Sequence, residues 1–302
     1  LTLTTRFAPS PTGPLHLGHA YSALLAYDMA MAAGGRFLLR IEDIDQTRCH
    51  PKWEIQLLDD LNWLSVHWEG APMRQSDRLG AYRSALDSLW QRELIYPCHC
   101  TRRDIAAAAA APQEGAALLG PDGLIYPGTC RNRVIKPYGD GPRPEGVALR
   151  LNMSLAAAIS CDHHVTGPGA TDWHIGFDET GAGTDGETGD ITMSRDGLEK
   201  EIGDVVLSRR DFPGSYHLSV VLDDAAQGIT HVVRGQDLFE ATKIHVVLQR
   251  LLGLPTPTYH HHRLIRDDQG KRLAKRDDAR AISKYRAEGA SPQDIRKMVG
   301  LV

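Results

Sequence analysis

The chain has 302 residues, 34 Lys plus Arg against 38 Asp plus Glu, and a formal net charge of -4. That length suits one large domain or two smaller ones, and 42 % hydrophobic with 24 % charged residues is an ordinary globular mix. No run of eighteen apolar residues argues for a membrane span, and a mildly acidic chain does not bind phosphate by bulk charge, so any nucleic acid must meet a local basic patch.

In chain order, residues 4–8 read as a strand and 9–14 as a proline-stiffened turn. Residues 17–33 are apolar, rich in helix formers, and stop at Gly34-Gly35, a helix C-cap. Residues 37–41 (FLLRI) read as a buried second strand. This order predicts a doubly wound α/β domain with a Rossmann-type parallel sheet. Residues 53–63 and 76–91 have helical spacing. Residues 96–200 change character, with a cysteine cluster, an Ala run over 106–111 and a Gly/Asp-rich stretch over 167–190. They read as an insertion between two halves of the nucleotide fold, mobile in part. Strand signals return at 204–207, 217–222 and 229–233, a helix follows over about 237–252, and 262–265 is strand-like. A basic loop spans 271–276, and Ser291-Pro292 opens a last helix with Ser as N-cap and Pro at N1. The expected division is 1–95 and 201–285 for the two halves of the catalytic domain, 96–200 for the inserted subdomain and 286–302 for the terminal helix.

The start lacks the basic and apolar regions of a secretory signal, and its first residue is Leu, which suggests a trimmed start. Five cysteines, three of them at Cys98, Cys100 and Cys130, point to a reducing, cytoplasmic setting and a metal site rather than disulfides. Thiolates at this spacing suit a tetrahedral structural Zn²⁺. The fourth ligand stays open: His99 in an extended C-x-C segment points away from both thiols, and Tyr126 must lose a phenolic proton. The alternative is three buried free thiols. Cys49 and Cys161 stand outside the cluster.

The stretch Pro9-Ser-Pro-Thr-Gly-Pro-Leu-His16-Leu-Gly-His19 sets two imidazoles at i and i+3 at a helix N-terminus. Free N–H groups and a partial positive charge there suit phosphate. His16 and His19 can donate to phosphate oxygens as charge builds, and Gly18 leaves room for a flat base. No Walker A sequence follows.

These residues resemble the HIGH signature of class I aminoacyl-tRNA synthetases in its glutamyl form. Phe37-Leu-Leu-Arg-Ile-Glu-Asp-Ile-Asp45, Val232-Val-Arg-Gly-Gln-Asp237 and Arg272-Leu-Ala-Lys-Arg276 resemble later motifs, the last being the KMSKS loop. The resemblance implies ATP-dependent activation of L-glutamate, with Mg²⁺ on the phosphates and His16, Gly18, His19 and Lys275 at the ATP. It places glutamate contacts at Arg6, Phe7, Ala8, Pro9, Ser10, Glu42, Tyr216 and Arg234. Arg suits a carboxylate because its fork gives two parallel bonds, and Glu42 suits the ammonium. Ala274 replaces a common serine of the loop.

Only 26 residues follow Arg276, too few for the usual anticodon-binding domain. The resemblance is therefore closest to the shortened paralogues, the glutamyl-queuosine tRNA(Asp) synthetases, whose zinc arrangement is Cys-x-Cys…Tyr-x3-Cys. It implies tRNA-independent activation and transfer to queuosine in the anticodon of tRNA(Asp). Arg131, Arg133, Lys136, Arg209 and Arg210 are then candidate phosphate contacts. The competing readings are a catalytic fragment of a conventional glutamyl-tRNA synthetase, transfer to a small molecule or carrier protein, and a silent nucleotide-binding module.

Overall fold

A computed structural model describes residues 2–109, 119–133, 139–167, 170–266 and 280–301. The basic loop over 271–276 with Lys275, and Lys136, lie outside the described residues.

Strand β1 (Thr4–Phe7) pairs in parallel with β2 (Arg36–Ile41), and helix α1 (Leu17–Ala32) connects them. The α1 helix ends where Gly34 takes φ +59°, a left-handed turn that a side chain disfavours. Helix α2 (Pro51–Trp63) leads to β3 (Met73–Arg74), parallel to β2, and a 3₁₀ turn then enters α3 (Leu79–Gln91). Next come β4 (Ile95–Cys98), α4 (Arg102–Ala109) and the two-residue strands β5 (Leu119–Gly120) and β6 (Gly123–Leu124). They are followed by β7 (Ala148–Leu151), α5 (Met153–Ser160), β8 (Asp162–Gly167), β9 (Ala170–Glu179) and β10 (Gly189–Ser194). The single turn α6 (Arg195–Gly197) leads to β11 (Val206–Ser208) and α7 (Tyr216–Ala226). The chain finishes with β12 (His231–Gly235), α8 (Phe239–Leu252), β13 (Thr258–His262), α9 (Ile282–Ala287) and α10 (Pro292–Val299).

Strands β12 and β13 pair in parallel, and β9 joins β13 in parallel. The edge of this group meets β1, because the Thr230 N–H donates to the Thr4 carbonyl at 3.0 Å and the Thr4 N–H to Thr230 Oγ1 at 2.8 Å. Two parallel groups thus lie side by side, the arrangement of a doubly wound fold. A separate antiparallel sheet, ordered β11-β7-β4, carries Cys98. Apolar faces of β1, β2 and α1 share one core with Ile295 and Val299 of α10. Ser291 caps α10 reciprocally with Asp294, as the Ser-Pro start predicts.

Two expectations change. Residues 217–222 are helical, not a strand. Ser215 caps α7, accepting from the Leu218 N–H at 3.4 Å, and a short apolar run does not separate strand from buried helix. The Gly/Asp-rich stretch over 167–190 contains most of the β9–β10 hairpin, and β9 is bonded to β13. That part of the presumed insertion sits on the parallel sheet.

Asp60 of α2 is buried, and neither carboxylate oxygen has a partner among the described residues. Burial, helped by the Asp59 charge and opposed by Arg286, pushes its carboxyl up to about 6. A raised folded-state value means stability falls as pH rises from about 4 through 6. Asp60→Asn is therefore expected to raise stability by about 1–3 kcal/mol at pH 7.5 and to change little at pH 4. Thermal unfolding at the two pH values checks this, and equal effects at both would remove the charge as the cause.

Candidate active site

The N-terminus of α1 is built from its own histidines. His16 is the N-cap, and its Nδ1 accepts from the Gly18 N–H at 3.1 Å. His19 Nδ1 accepts from the His16 N–H at 3.2 Å, and the two ring centroids lie 3.7 Å apart. Both Nδ1 atoms accept, so each neutral ring carries its proton on Nε2. A Cβ at Gly18 would sit 3.1 Å from the His16 ring. The glycine therefore clears that imidazole. The chain on both sides of 267–279 returns here. His262 Nε2 and Ser22 Oγ of α1 are 2.6 Å apart, and the Ile282 N–H donates to the Leu15 carbonyl at 2.8 Å.

The C-terminal ends of β1 and β2 are joined by the Glu42 N–H donating to the Pro9 carbonyl at 3.0 Å. This brings the segment Arg6-Phe-Ala-Pro-Ser10 beside Glu42. The Arg6 Nε donates to Asp224 Oδ1 at 2.9 Å, and its Nη1 to the Val233 carbonyl at 3.3 Å. Arg40, fully buried, donates from Nη1 to the same Asp224 oxygen at 2.6 Å and from Nη2 to Glu42 Oε1 at 3.1 Å. Burial would raise the Asp224 carboxyl, but Arg40 and Arg6 hold it down at about 2. Burial pushes the Glu42 carboxyl up against the pull of Arg40 and Arg6. Both bonds to Glu42 reach Oε1.

Arg234, at the end of β12, donates from Nε to His261 Nε2 at 3.1 Å and from Nη1 to His245 Nδ1 at 3.1 Å. Its Nη2 donates to Thr242 Oγ1 at 2.7 Å and to the Leu238 carbonyl at 3.3 Å. Tyr216 opens α7 and is 37 % exposed, so its ring faces the cleft. Burial of its hydroxyl pushes that phenol up, and the charges of Arg234, Glu42, Arg6 and Asp224 all reach it. Two guanidiniums and a carboxylate thus lie close enough to the Tyr216 phenol for their charges to act on it.

A second cluster lies at the end of β4. The sulfurs of Cys98, Cys100 and Cys130 lie within 4.8 Å of one another, with Cys100 and Cys130 3.6 Å apart. Tetrahedral zinc with bonds of about 2.3 Å spaces its sulfurs about 3.8 Å apart, so the cluster fits. The Tyr126 oxygen is 3.4 Å from the sulfurs of Cys98 and Cys100, and it accepts from the Cys130 N–H at 2.9 Å. His99 is exposed. Burial raises the Cys130 thiol, but hydrogen bonds from Tyr126, the His99 backbone and the neighbouring thiols bring it down to about 7. The Arg150 Nε donates to Cys98 Sγ at 3.3 Å, and its guanidinium lies 4.0 Å from the centre of the Tyr126 ring. The donor set suits a thiolate-seeking cation.

Between this cluster and α7 lies a cavity of about 990 Å³ whose walls include Arg48, Arg102, Arg150, Arg209 and Tyr216. Of the other basic candidates, Arg131 is paired with the buried Asp204 at 2.7 Å, and Arg210 donates to the His99 carbonyl at 3.0 Å. Arg209 pairs with Asp211 at 3.1 Å, and Arg133 is exposed. Sequence reasoning passed over Arg40, Asp224, His245, His261 and Glu179. Their signals were an arginine inside FLLRI, acids inside an apolar helix, and the run His260-His-His262.

Residues 2–117 and 179–302 match the family described as tRNA synthetases class I (E and Q), catalytic domain. The chain is similar to the Glutamyl-Q tRNA(Asp) synthetase of Rhodobacter capsulatus, 63 % identical over 299 residues that cover 99 % of this chain and 100 % of that one. The protein of the same name from Cupriavidus metallidurans is 40 % identical over 98 % of this chain and 82 % of its own length. Among solved structures, the glutamate-tRNA synthetase of Elizabethkingia anophelis has a TM-score of 0.73 at 25 % identity; it matches all of this chain, which spans 61 % of that one.

Replacing Arg40 by Met would leave Asp224 with one cation and Glu42 with none in contact. Breaking a buried pair in this way costs about 3–5 kcal/mol. Urea unfolding is expected to show that loss, and a change under about 1 kcal/mol would place the pair among exposed, weak ones.

Proposed function

The chain belongs to the family of class I tRNA synthetase (E and Q) catalytic domains, and on that premise we propose that it is an ATP-dependent ligase that activates L-glutamate without tRNA and transfers it to queuosine in the anticodon of tRNA(Asp). The observation that supports the reading is that Arg6, Glu42 and Arg234, at or just after strand ends, act by charge on Tyr216 at the start of α7. The named relatives favour it over a catalytic fragment of a conventional glutamyl-tRNA synthetase.

The glutamate ammonium lies against Glu42, and its side-chain carboxylate against a guanidinium. The α-carboxylate oxygen attacks the α-phosphorus of ATP, the bond to the bridging oxygen breaks, and pyrophosphate leaves. No protein nucleophile is needed; holding the reactants in line and stabilising charge suffice. His16 and His19 offer Nε2–H donors to the phosphates, and Lys275 adds a positive charge. Mg²⁺, when bound on the phosphates, neutralises part of their charge. In the second step a queuosine hydroxyl attacks the glutamyl carbonyl and AMP leaves. Cys98, Cys100, Cys130 and Tyr126 would hold a structural zinc ion that ties β4 to the segment after β6, with the Arg150 charge favouring the anionic ligands.

Two measurements test this. ATP–pyrophosphate exchange is expected with glutamate alone, and labelled glutamate should enter tRNA(Asp) that carries queuosine but not tRNA(Asp) that lacks it. Exchange that requires tRNA would favour the fragment reading. Metal analysis of protein prepared without chelator should find one zinc per chain, and stripping it should lower the unfolding temperature; metal-free protein with the same unfolding temperature would leave three free thiols, Cys98 and Cys130 buried and Cys100 half-buried.

A further inference from the structure

Behind Arg234 lies a continuous buried chain of polar groups. Glu179, at the end of β9, accepts at Oε1 from the backbone N–H groups of Gly181 at 2.7 Å and His261 at 2.9 Å. Its Oε2 faces His261 Nδ1 at 2.5 Å. A carboxylate accepts only, so His261 carries its proton on Nδ1. Its Nε2 is left as a lone pair, and that lone pair receives the Arg234 Nε–H. On the other side, Arg234 donates from Nη1 to His245 Nδ1. Arginine donates only, so His245 carries its proton on Nε2, 3.1 Å from His217 Nδ1. His217 then carries its proton on Nε2, which lies 3.4 Å from Asp122 Oδ1 on the cavity wall.

We propose that Glu179, His261, His245 and His217 form a positioning relay that orients the Arg234 guanidinium toward the substrate carboxylate. The proposal rests on the reading of Arg234 as a glutamate contact. Four of the five N–H groups of Arg234 are taken by protein acceptors, and one on Nη1 remains among the described residues. The relay thus selects which N–H meets the ligand. Glu179, His245 and His261 are each at most 2 % exposed, and none lies at the surface of the cleft. An apolar core at these positions would be cheaper to bury. Burial lowers the His245 imidazole, and the Arg234 and Arg6 charges act in the same direction, which keeps its Nδ1 an acceptor.

The test uses a substitution that keeps shape and reverses a tautomer. In Glu179→Gln the amide oxygen must stay on the two backbone N–H groups, which turns the NH₂ toward His261 Nδ1. The ring then carries its proton on Nε2 and confronts the Arg234 Nε–H, donor to donor. In ATP–pyrophosphate exchange, KM for glutamate is expected to rise at least about tenfold, while KM for ATP stays near wild type. His245→Asn, which keeps an acceptor toward Arg234 but loses the link to His217, should raise KM for glutamate less than His245→Phe does; equal KM values in the two would overturn the relay. Nitrogen-15 NMR of the wild-type protein should show His261 protonated on Nδ1. An unchanged KM in folded Glu179→Gln, or an Nε2–H on wild-type His261, overturns the relay. If Glu179→Gln does not fold, the His245 pair and the wild-type spectrum decide. Arg234→Ala separates the two readings. An unchanged KM for glutamate there removes the pocket assignment and the relay with it. A raised KM there beside an unchanged one in Glu179→Gln removes the relay alone.

Discussion

Asp224 lies buried between Arg6 and Arg40, which donate to one of its oxygens at 2.9 and 2.6 Å. A lone carboxylate in that position would be too costly to keep ionised, and so would either guanidinium. The three groups come from β1, β2 and α7, so each needs the other two elements in place. Arg40 then reaches Glu42 with its other nitrogen at 3.1 Å, which carries the constraint to the rim of the pocket. The rim chemistry is thus fixed from behind by Arg40 and Asp224, to which the proposed reading gives no ligand contact.

The opening β–loop–α–β unit was legible because its signals are local. Prolines stiffen the turn, glycines stop the helix, and the strand is a short apolar run. The terminal helix was legible from two residues, Ser291 and Pro292. The strands after residue 200 were read less well, because burial on every side erases periodicity. The α7 run His-Leu-Ser-Val-Val-Leu has no polar face to count, since even its acids, Asp223 and Asp224, point into polar partners inside the protein. The proposed pocket residues Arg6, Glu42 and Arg234 stand at motif positions, so the sequence pointed to them. It did not point to their supports, because a buried Arg40 or Glu179 depends on partners that are remote in sequence. One general signal was present: a charge inside an apolar strand or helix requires a buried counter-charge.

The antiparallel sheet does for the cysteine cluster what the parallel sheet does for the pocket. Strand β4 ends at Cys98, β7 supplies Arg150, and the turn before β11 supplies Asp204. Asp204 accepts from Arg131 at 2.7 Å and from the Met153 N–H at 2.8 Å, so one buried acid braces both the loop after Cys130 and the start of α5. Arg150 and Tyr126 share the wall of the cavity with Tyr216. Tyr126 beside the cluster and Tyr216 at the start of α7 thus line one cleft.

The bond between Thr4 and Thr230 joins residues 226 positions apart. On a ribosome, the first strand therefore emerges long before its neighbour exists. Arg6 and Arg40 must wait, hydrated, until Asp224 has been synthesised. The N-terminal half cannot close its sheet edge or neutralise its charges during that interval, so assembly of the pocket is a late event with high contact order. Until residue 230 has been made, that edge stays open to other chains.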